Sequence, residues 1–239
     1  MKTDTICGLK PIDALFRRRP EQVERLFYLP EMKAVAGPHC AVLAAARKPY
    51  RMVEAEELEK VTGTPHHGGI AAVARSRAVP VFPLLDPPKH KLLLILDGIG
   101  NPHNLGAIAR SAAFFGVGAI LIGEGPGHAM PSDAAYRTAE GGLEMLDLYK
   151  SRNLPNVLQS LDAHYRTVAS SLSRDAMPLS DLPRDRSIAL VLGSEENGIS
   201  PDVLAACRRH IRIAGSGRLQ SLNVAQAASV MLAGLAGSL

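Results

Sequence analysis

The amino-acid sequence predicts an α/β protein, in which a small α/β domain precedes a larger domain built on a parallel sheet. From residue 91 onward, short apolar runs alternate with helix-like segments, which is the pattern of repeated strand–helix units. The runs at residues 92–96 and 188–192 are apolar at every position, as is typical of strands whose two faces are both covered. A proline-rich stretch separates this pattern from residues 1–80, and a chain of 239 residues is long enough for two domains.

The composition is that of a globular protein, with 46% hydrophobic and 21% charged residues. The formal net charge of +4 suits a polyanionic partner, although a basic enzyme without such a partner would have a similar charge. The three cysteines are scattered and lack CxxC spacing, which predicts a reducing compartment with neither a disulfide framework nor a zinc site. No apolar run approaches the roughly 20 residues of a membrane span, so we expect no membrane insertion. Together with the cysteine pattern, this predicts a cytoplasmic protein that holds no metal.

The first domain, residues 1–80, shows helix and strand signals in alternation. Pro11 suits the first turn of a helix that an arginine triplet ends, and Gly37-Pro38 is expected to interrupt an alanine-rich helix. In chain order, the predicted elements are a helix at 11–16, a strand at 26–29, a helix at 32–47, a strand at 52–53, a helix at 55–60 and a strand at 69–74.

The junction between the domains is rich in proline. Residues 79–88 contain four prolines, which fix the backbone angle φ and remove hydrogen-bond donors. Such a segment cannot join a central sheet and is typical of a semi-rigid linker. We therefore place the linker at residues 81–90 and the second domain at residues 91–239.

The second domain is predicted to carry helices on both faces of its parallel sheet. Asn104 is a candidate N-cap of one helix, which Gly116 follows, and Ser200-Pro201 is a typical helix start. The predicted strands are 92–96, 118–122, 143–148, 167–169, 188–192 and 211–213; the predicted helices are 104–115, 131–139, 154–164, one from 201, and 222–235.

Polar loops follow the predicted strands, at the edge where an open α/β sheet binds its ligands. One loop begins at Gly193, and another ends at Ser221. Two common nucleotide sites are disfavoured. The turn after residue 97 has His103 where a dinucleotide fingerprint needs its third glycine, and the chain has no GxxxxGK[ST] phosphate loop.

Three motifs are more specific in combination than alone. They are N-P-H-N-L-G-A-I-A-R-S-A at residues 101–112, L-V-L-G-S-E-E-N-G-I-S at 190–200 and S-L-N-V-A-Q-A-A at 221–228. Together they resemble the motifs of the SpoU (TrmH-type) family of RNA ribose methyltransferases, within the SPOUT superfamily. The first domain, with G-L-K-P-I-D-A-L and H-H-G-G-I-A-A-V, resembles the small substrate-binding domain of these enzymes, although His67-Gly68-Gly69 stands where His-Gln-Gly is common.

This resemblance implies a fold and a cofactor. The C-terminal segment of such enzymes is threaded through a loop to form a trefoil knot, an exception to the rule that chains are unknotted. The knot holds S-adenosylmethionine, here at Gly193, Ile213 and Leu222. We argue that Gly193 suits this role because a residue without Cβ lets the backbone approach a ligand closely. The family also implies a homodimer whose sites are completed across the interface.

The resemblance further implies methyl transfer to a ribose 2′-hydroxyl. Arg110 has two possible roles: the general base that has been proposed for the family, or a cation that stabilises the developing alkoxide or clamps a phosphate, which is easier because guanidinium resists deprotonation. Glu195 would orient Arg110 or Asn104, or contact the cofactor. By spacing alone, these residues could equally be caps and solvated side chains. The implied catalytic residues are Asn104, Arg110, Glu195, Ser221 and Asn223.

The predicted substrate is a structured RNA. We favour ribosomal over transfer RNA, because an additional N-terminal domain can bind RNA at some distance from the target nucleotide. Arg17, Arg18 and Arg19 are candidate phosphate contacts, although an arginine run can also be merely solvated. The alternatives are a transfer RNA ribose methyltransferase and a non-catalytic RNA-binding or ribosome-assembly protein that kept the fold.

Overall fold

Two β-sheets organise the chain, each in a unit of its own. The computed structural model describes residues 2–237. The first unit comprises Met1–Ala78 and Pro131–Met145, and the second comprises Val79–Met130 and Leu146–Leu239. Residues 131–145, which the sequence placed in the second domain, therefore belong to the first unit.

The first unit is a four-stranded mixed sheet with helices. Its strands lie in the order β1-β4-β2-β3; β4 is antiparallel to both of its neighbours, and β3 is parallel to β2. The strands are β1 (Thr3–Cys7), β2 (Val23–Tyr28), β3 (Tyr50–Met52) and β4 (Ile70–Arg75). The helices are α1 (Leu9–Arg18), α2 (Lys33–Ala45), α3 (Ala55–Thr62), α5 (Asp133–Ala139) and α6 (Gly142–Met145).

A buried ion pair explains why residues 131–145 belong to this unit. Arg19 is 4% exposed and Glu144 is 1% exposed, and Arg19 Nη2 donates to Glu144 Oε1 at 2.7 Å. Arg19 also donates to the hydroxyl of Tyr136 at 3.2 Å. Burial alone would lower the pKa of Arg19, but its hydrogen bonds and attraction to Glu144 raise that pKa above its ordinary value.

The second unit is built on a seven-stranded sheet in which every neighbouring pair is parallel. The order is β7-β6-β5-β10-β8-β11-β9. The strands are β5 (Leu92–Asp97), β6 (Ala119–Gly123), β7 (Asp147–Ser151), β8 (Tyr165–Ser170), β9 (Met177–Pro178), β10 (Ser187–Gly193) and β11 (Arg209–Arg212). The helices are α4 (Pro102–Phe114), α7 (Leu154–Leu161), α8 (Pro201–Ala206) and α9 (Val224–Leu235), of which α4 packs on α9 and α7 packs on α8.

The order of the strands sets the position of the site. Strands β5, β6 and β7 progress in one direction across the sheet, whereas β8 lies on the other side, next to β10. The order in which successive strands are added to the sheet therefore changes direction between β5 and β10, while all strands stay parallel. Open α/β sheets bind ligands at the carboxyl ends of the strands at such a switch point. The α/β class and the parallel sheet of the second domain were predicted correctly.

Several elements differ from the sequence prediction. The short strands β1 and β9 were missed. Residues 143–148, predicted as a strand, are the end of α6 followed by the start of β7. The predicted interruption of α2 is wrong, since the helix continues through Pro38. A proline removes one hydrogen bond within a helix, but the residues on both sides of Pro38 remain helical.

The proline-rich linker is attached to the second unit. Phe82 N donates to Lys150 O at 3.0 Å, and Lys150 N donates to Pro80 O at 2.9 Å, so this segment extends the sheet beside β7. Phe82 is 3% exposed and belongs to the core cluster that α7 covers. The segment was predicted to be a linker outside any central sheet; it does stay out of the centre, but its first residues pair at the edge of the sheet, where a proline can be accommodated.

The described part of the chain has neither a membrane-spanning helix nor a cluster of metal ligands. Within residues 2–237, no helix is both long and apolar enough to cross a membrane. The same part of the chain holds no group of three or more His, Cys, Asp or Glu residues arranged to hold a metal ion.

Candidate active site

Helix α4 begins earlier than the sequence indicated. Its N-cap is Asn101, whose side chain accepts a hydrogen bond from His103 N at 2.8 Å, and Pro102 occupies the first helical position. The prediction that Asn104 is the N-cap is therefore wrong. Proline suits the first turn because it has no N–H to leave unpaired, so the helix starts at Pro102. The amide of Asn104 is consequently available for contacts outside the helix.

The turn after β10 requires a glycine at its start. Ser194 and Gly198 exchange two main-chain hydrogen bonds of 3.0 Å, which close the turn. A Cβ on Gly193 would lie 2.2 Å from the carbonyl carbon of Gly198. We argued from the sequence that the missing Cβ lets a ligand approach, but in this structure it lets the chain's own turn fold back.

Asp97 joins the loops that follow β5 and β10. It is 8% exposed, lies beside Gly193 in the sheet, and accepts a hydrogen bond from Ser200 N at 2.7 Å through Oδ2. His128 Nε2 lies 3.7 Å from its other carboxylate oxygen. Asp97 was not among the predicted site residues, although an acidic residue at the end of a wholly apolar strand was a signal in the sequence.

Three of the predicted catalytic residues meet at one carboxylate oxygen. Asn104 Nδ2 donates to Glu195 Oε1 at 2.9 Å, and Asn223 Nδ2 donates to the same oxygen. Asn223 Nδ2 also lies 3.3 Å from Asn104 Oδ1, and Val224 N donates to Glu195 Oε1 at 3.3 Å. Asn223 is in addition the N-cap of α9, where its Oδ1 accepts from Ala225 N at 2.9 Å. We call Asn104, Glu195 and Asn223 the amide–carboxylate cluster.

The other two predicted catalytic residues stand apart from this cluster. Arg110 is exposed on α4, and its side chain makes no hydrogen bond or ion pair within residues 2–237. Ser221 is exposed in the loop just before the cluster. A cationic side chain without an internal partner is free to bind an anion brought by a substrate.

The predicted cofactor residues border an open loop. Ile213 follows β11 and is half-buried, whereas Leu222, 44% exposed, lies next to the N-cap of α9. In the loop between them, Arg218 N donates to Ser216 Oγ at 3.4 Å, and no main-chain hydrogen bond is formed within residues 214–221 of the structure. Free main-chain donors and acceptors are the groups that an adenine base and an amino-acid moiety require, so this loop fits S-adenosylmethionine.

No cysteine is activated near these loops. Burial raises the pKa of the Cys207 thiol to about 12, with a further contribution from the negative charge of Asp97. The thiol donates to Val203 O at 3.3 Å. Nucleophilic thiolate chemistry at Cys207 is therefore disfavoured at neutral pH.

Comparison with known proteins identifies the family. A model of the SpoU rRNA methylase family matches residues 91–233, which is more than half of the chain. A second model, of the substrate-binding domain of RNA 2′-O ribose methyltransferases, matches residues 5–79.

The chain belongs to the SpoU rRNA methylase family.

Individual relatives agree with this membership. An uncharacterised tRNA/rRNA methyltransferase, YfiF of Escherichia coli O157:H7, is 31% identical over 95% of this chain and 66% of its own length. The 23S rRNA (guanosine-2′-O-)-methyltransferase RlmB of Acinetobacter baylyi is 30% identical over 97% of this chain and 96% of its own length. The chain thus spans about two thirds of the first relative and almost all of the second.

Solved structures show that the fold is that of SpoU methylases. The AdoMet-bound rRNA methyltransferase of Sinorhizobium meliloti has a TM-score of 0.82 over 99% of this chain and 88% of that chain, at 20% identity. The SpoU methyltransferase AviRb of Streptomyces viridochromogenes, also in complex with AdoMet, has a TM-score of 0.78 over 98% of this chain and 89% of that chain, at 20% identity. The predicted family and fold class are confirmed.

In this SpoU methylase, the predicted arginine run does not act as one surface. Arg17 and Arg18 are exposed near the end of α1, where Arg18 has an interaction of its own. Arg19 is buried with Glu144, so the prediction that it contacts RNA phosphates is wrong for this structure. The cause is the backbone turn at Arg19, where α1 ends and the side chain points back into the unit.

Proposed function

We propose that this protein transfers a methyl group from S-adenosylmethionine to a ribose 2′-hydroxyl of a structured RNA. The observation that carries the proposal is the amide–carboxylate cluster at the switch point of the sheet, where Glu195 gathers Asn104 and Asn223. Family membership and the similarity to RlmB support this activity. The geometry of the cluster does not by itself specify methyl transfer; that part of the proposal is supported by the names of the family and of these relatives.

The cluster orders polar groups that can position the ribose. Three N–H groups converge on Glu195 Oε1, while Glu195 Oε2 accepts no hydrogen bond within residues 2–237. A carboxylate oxygen held in this way can accept a hydrogen bond from the ribose hydroxyl and orient it for in-line attack. The N-terminus of α9, which Val224 begins, stabilises the negative charge of Glu195.

Arg110 supplies the positive charge that the reaction needs. The 2′-hydroxyl becomes more acidic as its oxygen attacks the methyl carbon, so its proton can pass to Glu195 Oε2 or to water while the S–CH3 bond breaks and the thioether product would leave. A guanidinium stabilises the negative charge that develops on the ribose oxygen, or clamps the adjacent phosphate. We propose this electrostatic role rather than that of a general base. Glu195 bonds the two asparagines rather than Arg110 here, which leaves Arg110 available to the RNA or to a second copy of the chain.

The cofactor loop has a complementary role. When bound, S-adenosylmethionine supplies an electrophilic methyl group on a sulfonium. We propose that Gly193, Ile213 and Leu222 border its pocket, with main-chain groups of residues 214–221 binding its polar edges, and that Ser221 lies beside the reacting groups. We also propose that the C-terminal helix α9 is threaded through the trefoil knot implied by the family.

The remaining proposals concern substrate and assembly. We propose ribosomal RNA as the substrate, supported by the similarity to RlmB over almost its whole length, and a homodimer in the cytoplasm as the working form. RNA binding would fall to the domain at residues 1–80, to which the structure adds residues 131–145. Methyl transfer would fall to the rest of residues 91–239, after a linker at 81–90 whose first residues pair with the transferase sheet. The two family models, at 5–79 and 91–233, support this division.

Replacement of Arg110 by alanine tests the proposal. We expect the rate of transfer of labelled methyl groups from S-adenosylmethionine to in-vitro-transcribed large-subunit ribosomal RNA to fall about a hundredfold or more, the usual effect of removing one group that stabilises charge in the transition state. Thermal unfolding should be unchanged, because Arg110 is exposed. Arg152→Ala is the matched control: Arg152 is an exposed arginine of the same unit that bonds Glu124, and its loss should leave the rate unchanged.

The same assay separates the alternatives. Methylation of transfer RNA alone would show that the ribosomal preference is wrong. An Arg110→Ala enzyme as fast as wild type would remove the catalytic assignment. Wild-type protein that binds RNA, but gives no calorimetric signal with S-adenosylmethionine and no methylation, would be a non-catalytic RNA-binding protein.

A further inference from the structure

Arginines begin three adjacent strands of the second sheet. Arg186 immediately precedes β10, Arg166 is the second residue of β8, and Arg209 is the first residue of β11. These strands are neighbours in the order β10-β8-β11 and run parallel, so their amino ends meet at one edge. With Arg208, the arginines line a cavity of about 300 Å³ at this edge. We call these four residues the amino-edge arginines.

Carboxylates neutralise only part of this charge. Arg166 pairs with Asp185 at 2.7 Å, and Arg208 pairs with Asp162. By contrast, Arg186 donates to the main-chain carbonyls of Asp162 at 2.7 Å and Ala163 at 3.0 Å.

Arg209 likewise donates to a main-chain carbonyl, that of Arg208, at 3.2 Å. Counted over the four arginines and their two carboxylate partners, two positive charges therefore remain in excess. Lys91 adds to them, because its carbonyl accepts from Ile188 N at 2.9 Å, which places it just before β5 at the same edge.

The positive charge of this arrangement is open to an anion from solution. Arg186, Arg208 and Arg209 are exposed, so water and salt screen their mutual repulsion, and a bound anion would replace that screening. The planar guanidinium group matches phosphate oxygens in pairs, and arginine is favoured where phosphate is recognised. Arg166 and Arg208 are held by their carboxylate partners. Arg186 and Arg209 form no ion pair within residues 2–237, so their positive charge is available to a phosphate.

We propose that the amino-edge arginines bind the phosphate backbone of the RNA substrate, at a position remote from the methylated nucleotide. This inference rests on the proposed function for the identity of the RNA. Strand β10 has seven residues, so its amino end lies about 20 Å from the amide–carboxylate cluster at its carboxyl end. An RNA that reaches both sites must fold around this unit, which a short oligonucleotide cannot do.

The test is the double charge reversal Arg186→Glu/Arg209→Glu. Binding of in-vitro-transcribed large-subunit ribosomal RNA is measured without S-adenosylmethionine, over a series of salt concentrations. We expect about tenfold weaker binding at physiological salt, and a plot of log affinity against log salt that is shallower by about one per arginine. Methylation should show a raised KM and an unchanged kcat on this RNA, with no change on a short oligonucleotide that contains the target.

The matched control is Arg186→Lys/Arg209→Lys, which keeps both charges and should keep the salt dependence. Equal thermal unfolding of the variants confirms that they fold. The proposal is overturned if the Glu variant binds RNA with the wild-type salt dependence. It is also overturned if inorganic phosphate alone saturates the surface at low concentration and RNA does not compete. Because binding is measured without methyl transfer, an inactive wild-type enzyme would count against the proposed function and not against this surface.

Discussion

At the residue scale, the acceptor at the centre of the site is one oxygen atom, Glu195 Oε1. It receives hydrogen bonds from the side chains of Asn104 and Asn223 and from the main chain at Val224. Hydrogen bonds to an ionised acceptor are roughly twice as strong as bonds between neutral groups. The negative charge of Glu195 therefore holds together two motifs that lie far apart in the sequence.

Glu195→Gln tests this conclusion while keeping the shape of the side chain. A neutral amide oxygen accepts the same hydrogen bonds more weakly, so we expect the methyl-transfer rate to fall by about tenfold or more. The midpoint of thermal unfolding should change little, because Glu195 is exposed. Glu196→Gln, at the adjacent exposed position, is the control. A Glu195→Gln enzyme with the wild-type rate would contradict the role given to the charge.

A buried acid in the first unit predicts a pH dependence of stability. Burial raises the pKa of Asp4 above its ordinary value of 3.8, against the hydrogen bond from Ser76. The folded state therefore holds the proton more tightly than the unfolded state. The stability that this group contributes is present at low pH, and it is lost as pH rises through the raised pKa.

Asp4→Asn removes this dependence. We expect the variant to be more stable than wild type at neutral pH, because a neutral amide avoids burying a charge. Its advantage should shrink as pH falls toward 3.8, the ordinary pKa of the acid. Urea unfolding of both proteins over that interval gives the difference. A difference that is constant with pH would show that the pKa of Asp4 is not raised.

At the element scale, two neighbouring asparagines of the first motif have separate duties. Asn101 caps α4 through His103 N, whereas Asn104, one turn further on, donates to Glu195. The difference follows from Pro102, which fixes the first turn and so directs Asn104 away from the end of the helix. Helix α9 has a single residue for both tasks, since Asn223 caps the helix and also donates to Glu195.

Alanine substitutions should separate these duties. Asn101→Ala should lower the free energy of unfolding by about 1 kcal/mol, the usual value of an N-cap, with a smaller effect on the methylation rate. Asn104→Ala should reduce the methylation rate severely and the stability little. Denaturant unfolding and methyl transfer on the same preparations give both quantities. The assignment fails if Asn104→Ala is the less stable of the two and the more active.

At the scale of the whole molecule, the chain passes repeatedly between its two units. Residues 131–145 return to the first unit, where Glu144 pairs with Arg19 across 125 positions of sequence. Both side chains are almost fully buried, so loss of one partner would leave an uncompensated charge. This ion pair therefore helps to decide which segments of the chain fold together.

Glu144→Gln measures that contribution in the full chain. We expect the free energy of unfolding to fall by about 3–5 kcal/mol, the usual cost of breaking a buried pair. Glu124→Gln is the control, since Glu124 pairs with Lys150 and Arg152 nearer the surface and its replacement should cost much less than that of Glu144. Equal costs for the two substitutions would show that burial does not strengthen the Arg19 pair.

The sequence predicted most elements, because hydrophobic periodicity and helix-start residues are local signals. It missed short strands such as β9, and it misassigned residues 143–148, where a one-turn helix meets a strand. It also named Asn104, Glu195 and Asn223 through the family motifs, but not Asp97, whose bond to Ser200 N joins residues that are 103 positions apart. A contact between residues that far apart produces no periodic pattern in the sequence, so local signals cannot predict it.

By itself, the sequence determined the α/β class, the parallel sheet, the family and the residues of its motifs. Only the tertiary structure decided that Glu195 binds Asn104 and Asn223, that Arg19 is buried, and that the amino-edge arginines form one surface. The physical reason is strand order. Strand β10 lies between β5 and β8, and that placement, which no local pattern encodes, brings distant loops together at one edge of the sheet and distant arginines together at the other.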